Sequence, residues 1–196
     1  MIEPSRFLTH EPALAGTARC GARRFSLMAC AALAAATAGS ALAARPHEHG
    51  IARLDVAVAP GSLTLDLSIP LDSLLGHERA PRSAAEIERA SVAVARLRAG
   101  EALFRIDASA GCALESVELT SAPLELGAAV PAREGHADLE GRYAFRCRPG
   151  ALAGAVEVGL FDAFAALRRI ELQVATPKGQ LKATLLRPVS RVRLAR

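Results

Sequence analysis

The chain has 196 residues, 51% of them hydrophobic, with a formal charge of +4, one tyrosine and no tryptophan. Four arginines and two acidic residues fall in the first 44 positions, so positions 45–196 carry 20 basic and 18 acidic side chains, a net +2. A charge that small, scattered mostly as arginine, is not a nucleic-acid footprint, and so few aromatic rings leave no platform for stacked bases.

The first segment reads as a leader. Arg19, Arg23 and Arg24 are followed by the uncharged, alanine-rich run Phe25–Ala38 and by the small residues Ala41-Leu42-Ala43. This is the three-part pattern of a secretory signal peptide over residues 1–44, removed on export. The apolar run is too short to predict a stable membrane span. The remaining 45–196, about 150 residues, suit a single domain with one sizeable core.

His47-Glu48-His49-Gly50 opens the exported chain and holds two of its four histidines. Leu54, Val56 and Val58 then alternate with polar residues, as do Leu63, Leu65, Leu67 and Ile69 beyond Pro60-Gly61, which predicts a β-hairpin. Gly76 to Pro81 is a loop that carries His77 and Glu78. Ser83 as N-cap, with Glu86 as its capping-box partner, predicts the main helix over Ala84–Ala99, stopped by Gly100. Two further hairpins are expected, 102–108 with 113–119 and 139–147 with 153–161, separated by a loop over 121–135. One helical turn over 162–167 and a last hairpin, 170–175 with 181–186, precede a basic tail.

The expected class is α+β, mostly antiparallel β with one main helix. The two halves read alike: a histidine, a strand, a Pro-Gly turn, a strand, a short Asp-containing segment, then helical sequence and another hairpin. This suggests a degenerate ββαββ duplication. A pseudo-twofold between the halves would make the starts of their first strands equivalent and bring His47 and His49 toward His136 and Asp138.

A His-x-His pair on an extended segment places both imidazoles on one face, and His136-x-Asp138 repeats the spacing with a carboxylate. Three imidazoles and one carboxylate match the donor set of a tetrahedral zinc ion. The bland alternative is an exposed, frayed terminus. His77 and Glu78 are a secondary pair of candidate ligands, or a loop that only leads into the helix. An amino-terminal copper or nickel site is disfavoured because Pro46 has no backbone N–H to offer. Cys112 and Cys147 read most simply as a disulfide in an oxidising compartment, closing a loop of about 36 residues worth roughly 4 kcal/mol. The competing reading is a pair of zinc thiolates. No Gly-rich phosphate loop, G-x-S-x-G elbow or HExxH occurs, so no enzymatic activity is expected.

An ordered set of residues resembles a known family. It comprises His47-Glu48-His49-Gly50, Gly76 with Glu78 and Pro81, Ala110-Gly111-Cys112, His136-Ala137-Asp138, Tyr143-Phe145-Cys147, and Leu160-Phe161 with Phe164. The chain is similar to the ZrgA-like zinc-regulated periplasmic zinc-binding proteins of proteobacteria. The resemblance implies a periplasmic protein that binds zinc and assists its acquisition or buffering, with a zinc uptake transporter or its binding protein as partner. It carries the family's amino-terminal histidines and His-x-Asp onto His47, His49, His136 and Asp138. There are two departures. The family's loop resembles Gly-Phe-Glu-His, where this chain has Gly76-His77-Glu78-Arg79, and no histidine-rich insertion precedes the second cysteine. The expected capacity is therefore one or two ions at a fixed site. The alternative expectation is a non-metal interaction or structural module of the envelope, with edge strands open to a partner.

Overall fold

The computed structural model describes residues 48–127 and 137–194. The leader (1–44), His47 and His136 lie outside the described residues. Strands β1 (Ile51–Ala59) and β2 (Ser62–Pro70) form the expected hairpin, in register from Ala59 opposite Ser62 to Arg53 opposite Ser68. Gly61 takes the left-handed conformation at its turn, with φ of 82°. Along both strands the even-numbered apolar positions of β1 and the odd-numbered ones of β2 are buried, as period-two alternation requires.

Pro70 stops β2 and starts the short helix α1 (Leu71–Leu75), closed by Gly76 at φ 80°. The main helix, α2 (Ala84–Arg98), has the expected capping box: Ser83 accepts from the Glu86 amide while the Glu86 carboxylate reaches back. Ala90, Ala93 and Leu97 are its buried stripe. A helical turn, α3 (Gly100–Leu103), leads into β3 (Phe104–Ile106). Then come β4 (Ala113–Thr120), β5 (Asp138–Arg146), β6 (Ala155–Val158), α4 (Leu160–Ala163), β7 (Arg169–Thr176), β8 (Gly179–Leu186) and β9 (Arg191–Arg193). Among the described residues the strands make a six-stranded sheet, β4-β5-β2-β1-β7-β8, and a three-stranded sheet, β3-β6-β9. All pairings are antiparallel except β1 with β7. The inward side chains of the large sheet share one core with the apolar residues of α2 and of the small sheet. The α+β class and the mostly antiparallel pairing agree with the sequence. No described helix is long and apolar enough to cross a membrane.

Two of the four expected hairpins do not form. β3 pairs with β6 in the small sheet, while β4 lies at the edge of the large one beside β5. β6 likewise pairs with β3 and β9, not with β5. The causes are side-chain and covalent. The Asp107 carboxylate accepts the amides of Gly154 and Ala155 at 2.6 and 2.9 Å, drawing the chain after β5 into the small sheet. The Cys112–Cys147 disulfide and the Arg148 amide on the Ala110 carbonyl hold β4 to the end of β5. Burial opposes ionisation of Asp107, but the Ser109 hydroxyl and the amides it accepts hold its carboxyl below the usual aspartate range.

The order of elements repeats strand, strand, helix, strand, strand, but the sheets do not repeat with it. β2 lies in the large sheet and its counterpart β6 in the small one, while β3 and β7 are exchanged the other way. β1 and β5 do share the large sheet, and β4 and β8 form its two edges, so strand placement matches the expected duplication only in part and does not establish it.

Tyr143 is fully buried, edge-to-face on Phe104 with ring centroids 4.8 Å apart. Its hydroxyl has no hydrogen-bond partner among the described residues, and burial pushes its pKa up. A buried, unsatisfied hydroxyl costs about 1–3 kcal/mol. Tyr143→Phe keeps the ring and removes that cost, so it is expected to raise stability by about 1 kcal/mol in thermal unfolding. A fall in melting temperature would show that the hydroxyl is bonded.

Candidate metal centre

The hairpin register brings chemistry to one end of the large sheet. The β1–β2 ladder runs out to Arg53 opposite Ser68, and beyond it the segment before β1 carries His49 while the first turn of α1 carries Asp72. The chain before β1 is held from both sides. Gly50 adopts φ 79°, and its amide donates to the Ser73 hydroxyl at 2.9 Å. Its carbonyl accepts the amides of Arg168 and Arg169 at 2.8 and 3.1 Å. The Arg168 guanidinium donates to the His49 carbonyl at 2.9 Å, and that of Arg169 contacts the Glu48 carboxylate at 3.1 Å. A Cβ added at Gly50 would come within 2.7 Å of Arg168 Nε and 3.1 Å of the Ala166 carbonyl, so this approach needs glycine.

The His49 imidazole projects from this clamp with its side chain 65% exposed. Its Nδ1 lies 3.1 Å from Asp72 Oδ2 and its Nε2 lies 3.0 Å from Glu78 Oε1. One nitrogen and two carboxylate oxygens thus fall within 4.8 Å of one another. Asp72 stands in the first turn of α1. Glu78 stands in the loop that joins α1 to α2, and that loop is tied down. Gly76 donates to the Asp72 carbonyl at 2.8 Å and His77 Nδ1 pairs with the Arg79 carbonyl at 3.0 Å. Arg79 grips Glu86 through two hydrogen bonds of 3.0 and 2.8 Å. Arg79 and the amides of Arg82 and Ser83 hold the Glu86 carboxyl well below the usual glutamate range. The capping box of the main helix therefore also fixes the loop that presents Glu78.

Sequence reasoning selected His49 and Glu78 but assigned other partners to His49. Asp138 is not in the cluster. It is half-buried at the start of β5, opposite Pro70, with its main-chain carbonyl bonded to the Ser121 hydroxyl at 3.0 Å. His77 turns away to the Arg79 carbonyl. Asp72 was missed as a member of the cluster. The hairpin indicated only that the start of β1 and the end of β2 lie together; the helical turn after Pro70, which presents Asp72, is what strand alternation does not show. The starts of β1 and β5 do lie at the same end of the sheet, because both strands flank β2 and run antiparallel to it. Their shared neighbour β2 is enough to bring them there.

His49, Asp72 and Glu78 together offer nitrogen and oxygen donors of the kinds that zinc accepts, which makes this set a candidate metal site. The ZrgA family of zinc uptake proteins matches residues 46–194, and the chain belongs to that family. The match spans both halves of the cluster. A comparison with the curated proteins finds no match.

Proposed function

We propose that this is an exported, non-enzymatic periplasmic protein that binds zinc and assists its uptake or buffering, and that His49, Asp72 and Glu78 form its binding site. The convergence of these three side chains carries the reading, and membership of a zinc uptake family supports it. Residues 1–44 serve as the cleaved leader in this reading. The receiving partner is a transporter or its binding protein.

His47 and His136 complete the proposed donor set. His47 is two residues from His49. His136 precedes Ala137, whose carbonyl accepts the Leu71 amide at 2.8 Å, immediately beside Asp72. The reading predicts a saturable site near one equivalent of zinc in residues 45–196 prepared without a histidine tag, measured by calorimetry and metal analysis. The absence of binding heat would overturn it.

A further inference from the structure

We infer that Asp72 is a positioning residue of this site rather than a ligand, and that the metal is taken at His49 Nε2 together with Glu78. The inference rests on the reading of the cluster as a metal centre. The two ring nitrogens of an imidazole point in divergent directions, so one ion cannot be bound at one nitrogen and also by a carboxylate that stays hydrogen-bonded to the other. His49 has Asp72 on its Nδ1 and Glu78 on its Nε2. One carboxylate must therefore orient the ring while the other shares the ion.

The surroundings decide which. Both oxygens of Asp72 are already engaged: Oδ2 by the imidazole, and Oδ1 by the Ser73 hydroxyl at 3.2 Å. Its side chain is only 19% exposed. Ser73 is itself 3% exposed and accepts the Gly50 amide at 2.9 Å, so its one proton goes to Asp72. The result is a relay from the Gly50 backbone through Ser73 and Asp72 to Nδ1–H of His49. It leaves the Nε2 lone pair on the side of Glu78, whose Oε1 lies 3.0 Å away, so that an ion can be shared between them. Glu78 is 48% exposed and engages the ring through Oε1 alone among the described residues. It keeps an oxygen for an ion. A carboxylate behind a ligating histidine fixes its tautomer and raises its basicity, and such partners are worth roughly 10–100-fold in metal affinity.

Zinc affinity and the visible spectrum of the cobalt(II) form, measured on the untagged leader-free protein, test the assignment. Glu78→Gln is expected to weaken zinc by more than about 100-fold and to alter the cobalt bands, because a ligand is lost. Asp72→Asn is expected to weaken zinc by about 10-fold and to leave the band positions unchanged, because the ligand set is intact. Ser73→Ala should act in the same direction and Ser73→Thr should restore affinity. Should Asp72→Asn fail to fold, the serine pair still reads the relay. Cobalt bands shifted by Asp72→Asn as they are by Glu78→Gln, or an unchanged affinity in both Asp72→Asn and Ser73→Ala, would overturn the inference with zinc binding still standing. Wild-type protein that takes up no zinc would overturn both.

Discussion

His49→Ala is expected to lower zinc affinity by at least about 100-fold, since outer partners of a metal site are already worth roughly 10–100-fold and His49 is a direct nitrogen donor. The same change should leave the zinc-free fold in place. The side chain is 65% exposed, and what holds this segment is the backbone: the Gly50 amide on Ser73, the Gly50 carbonyl on Arg168 and Arg169, and the His49 carbonyl on Arg168. None of these bonds uses the imidazole. The ring contacts to Asp72 and Glu78 are exposed pairs of a kind worth about 0–1 kcal/mol, so the loss of stability should stay near that. Competition with a chelating dye measures the first effect and thermal unfolding of the zinc-free protein the second. A His49→Ala protein that binds zinc as the wild type does would remove the cluster from consideration. In that event the donors would have to be sought at His47, His136 and Asp138.

Removal of the disulfide is expected to have the largest effect on stability. Cys112 and Cys147 are 35 residues apart in sequence, which the chain-entropy relation converts to about 4 kcal/mol of destabilised unfolded state. A domain of this size has about 5–15 kcal/mol in total, so a large share of its stability depends on one bond. The bond also matters topologically. It joins the chain just before edge strand β4 to the end of β5, next to the Arg148 amide bond to the Ala110 carbonyl and the Cys147 amide bond to Gly61. The paired Cys112→Ser and Cys147→Ser protein should lose about 2–5 kcal/mol in urea unfolding, with β4 the first strand to exchange its amides. The metal cluster is built from the β1–β2 hairpin, α1 and the loop before α2. Zinc affinity should therefore survive in protein that remains folded, and a loss of affinity in step with stability would show that the two ends of the sheet are coupled.

Local pattern alone determined a good part of this molecule. The β1–β2 and β7–β8 hairpins followed from period-two alternation around tight turns. The α2 capping box followed from Ser83 and Glu86, and the cysteine pairing from there being two cysteines beyond residue 44. These features depend on residues close in sequence or on simple counting. His49 and Glu78 were legible as candidate donors for the same reason: their chemistry belongs to single residues. Strand partners were not legible. Alternation says which face of a strand is buried, but β3 and β6 could satisfy their buried faces beside several neighbours. The choice fell to long-range contacts: Asp107 on the amides of Gly154 and Ala155, and the disulfide at the head of β4. The same holds for the site. Which carboxylates reach His49 depended on the hairpin that brings the start of β1 to the end of β2, on a helix of one turn closed by Gly76, and on a loop held by Arg79 and Glu86. The sequence by itself determined that candidate metal donors cluster just before β1. Only the tertiary structure decided that Asp72 and Glu78 meet His49 there, because a donor's identity is local while its distance to another donor is set by every strand and turn between them.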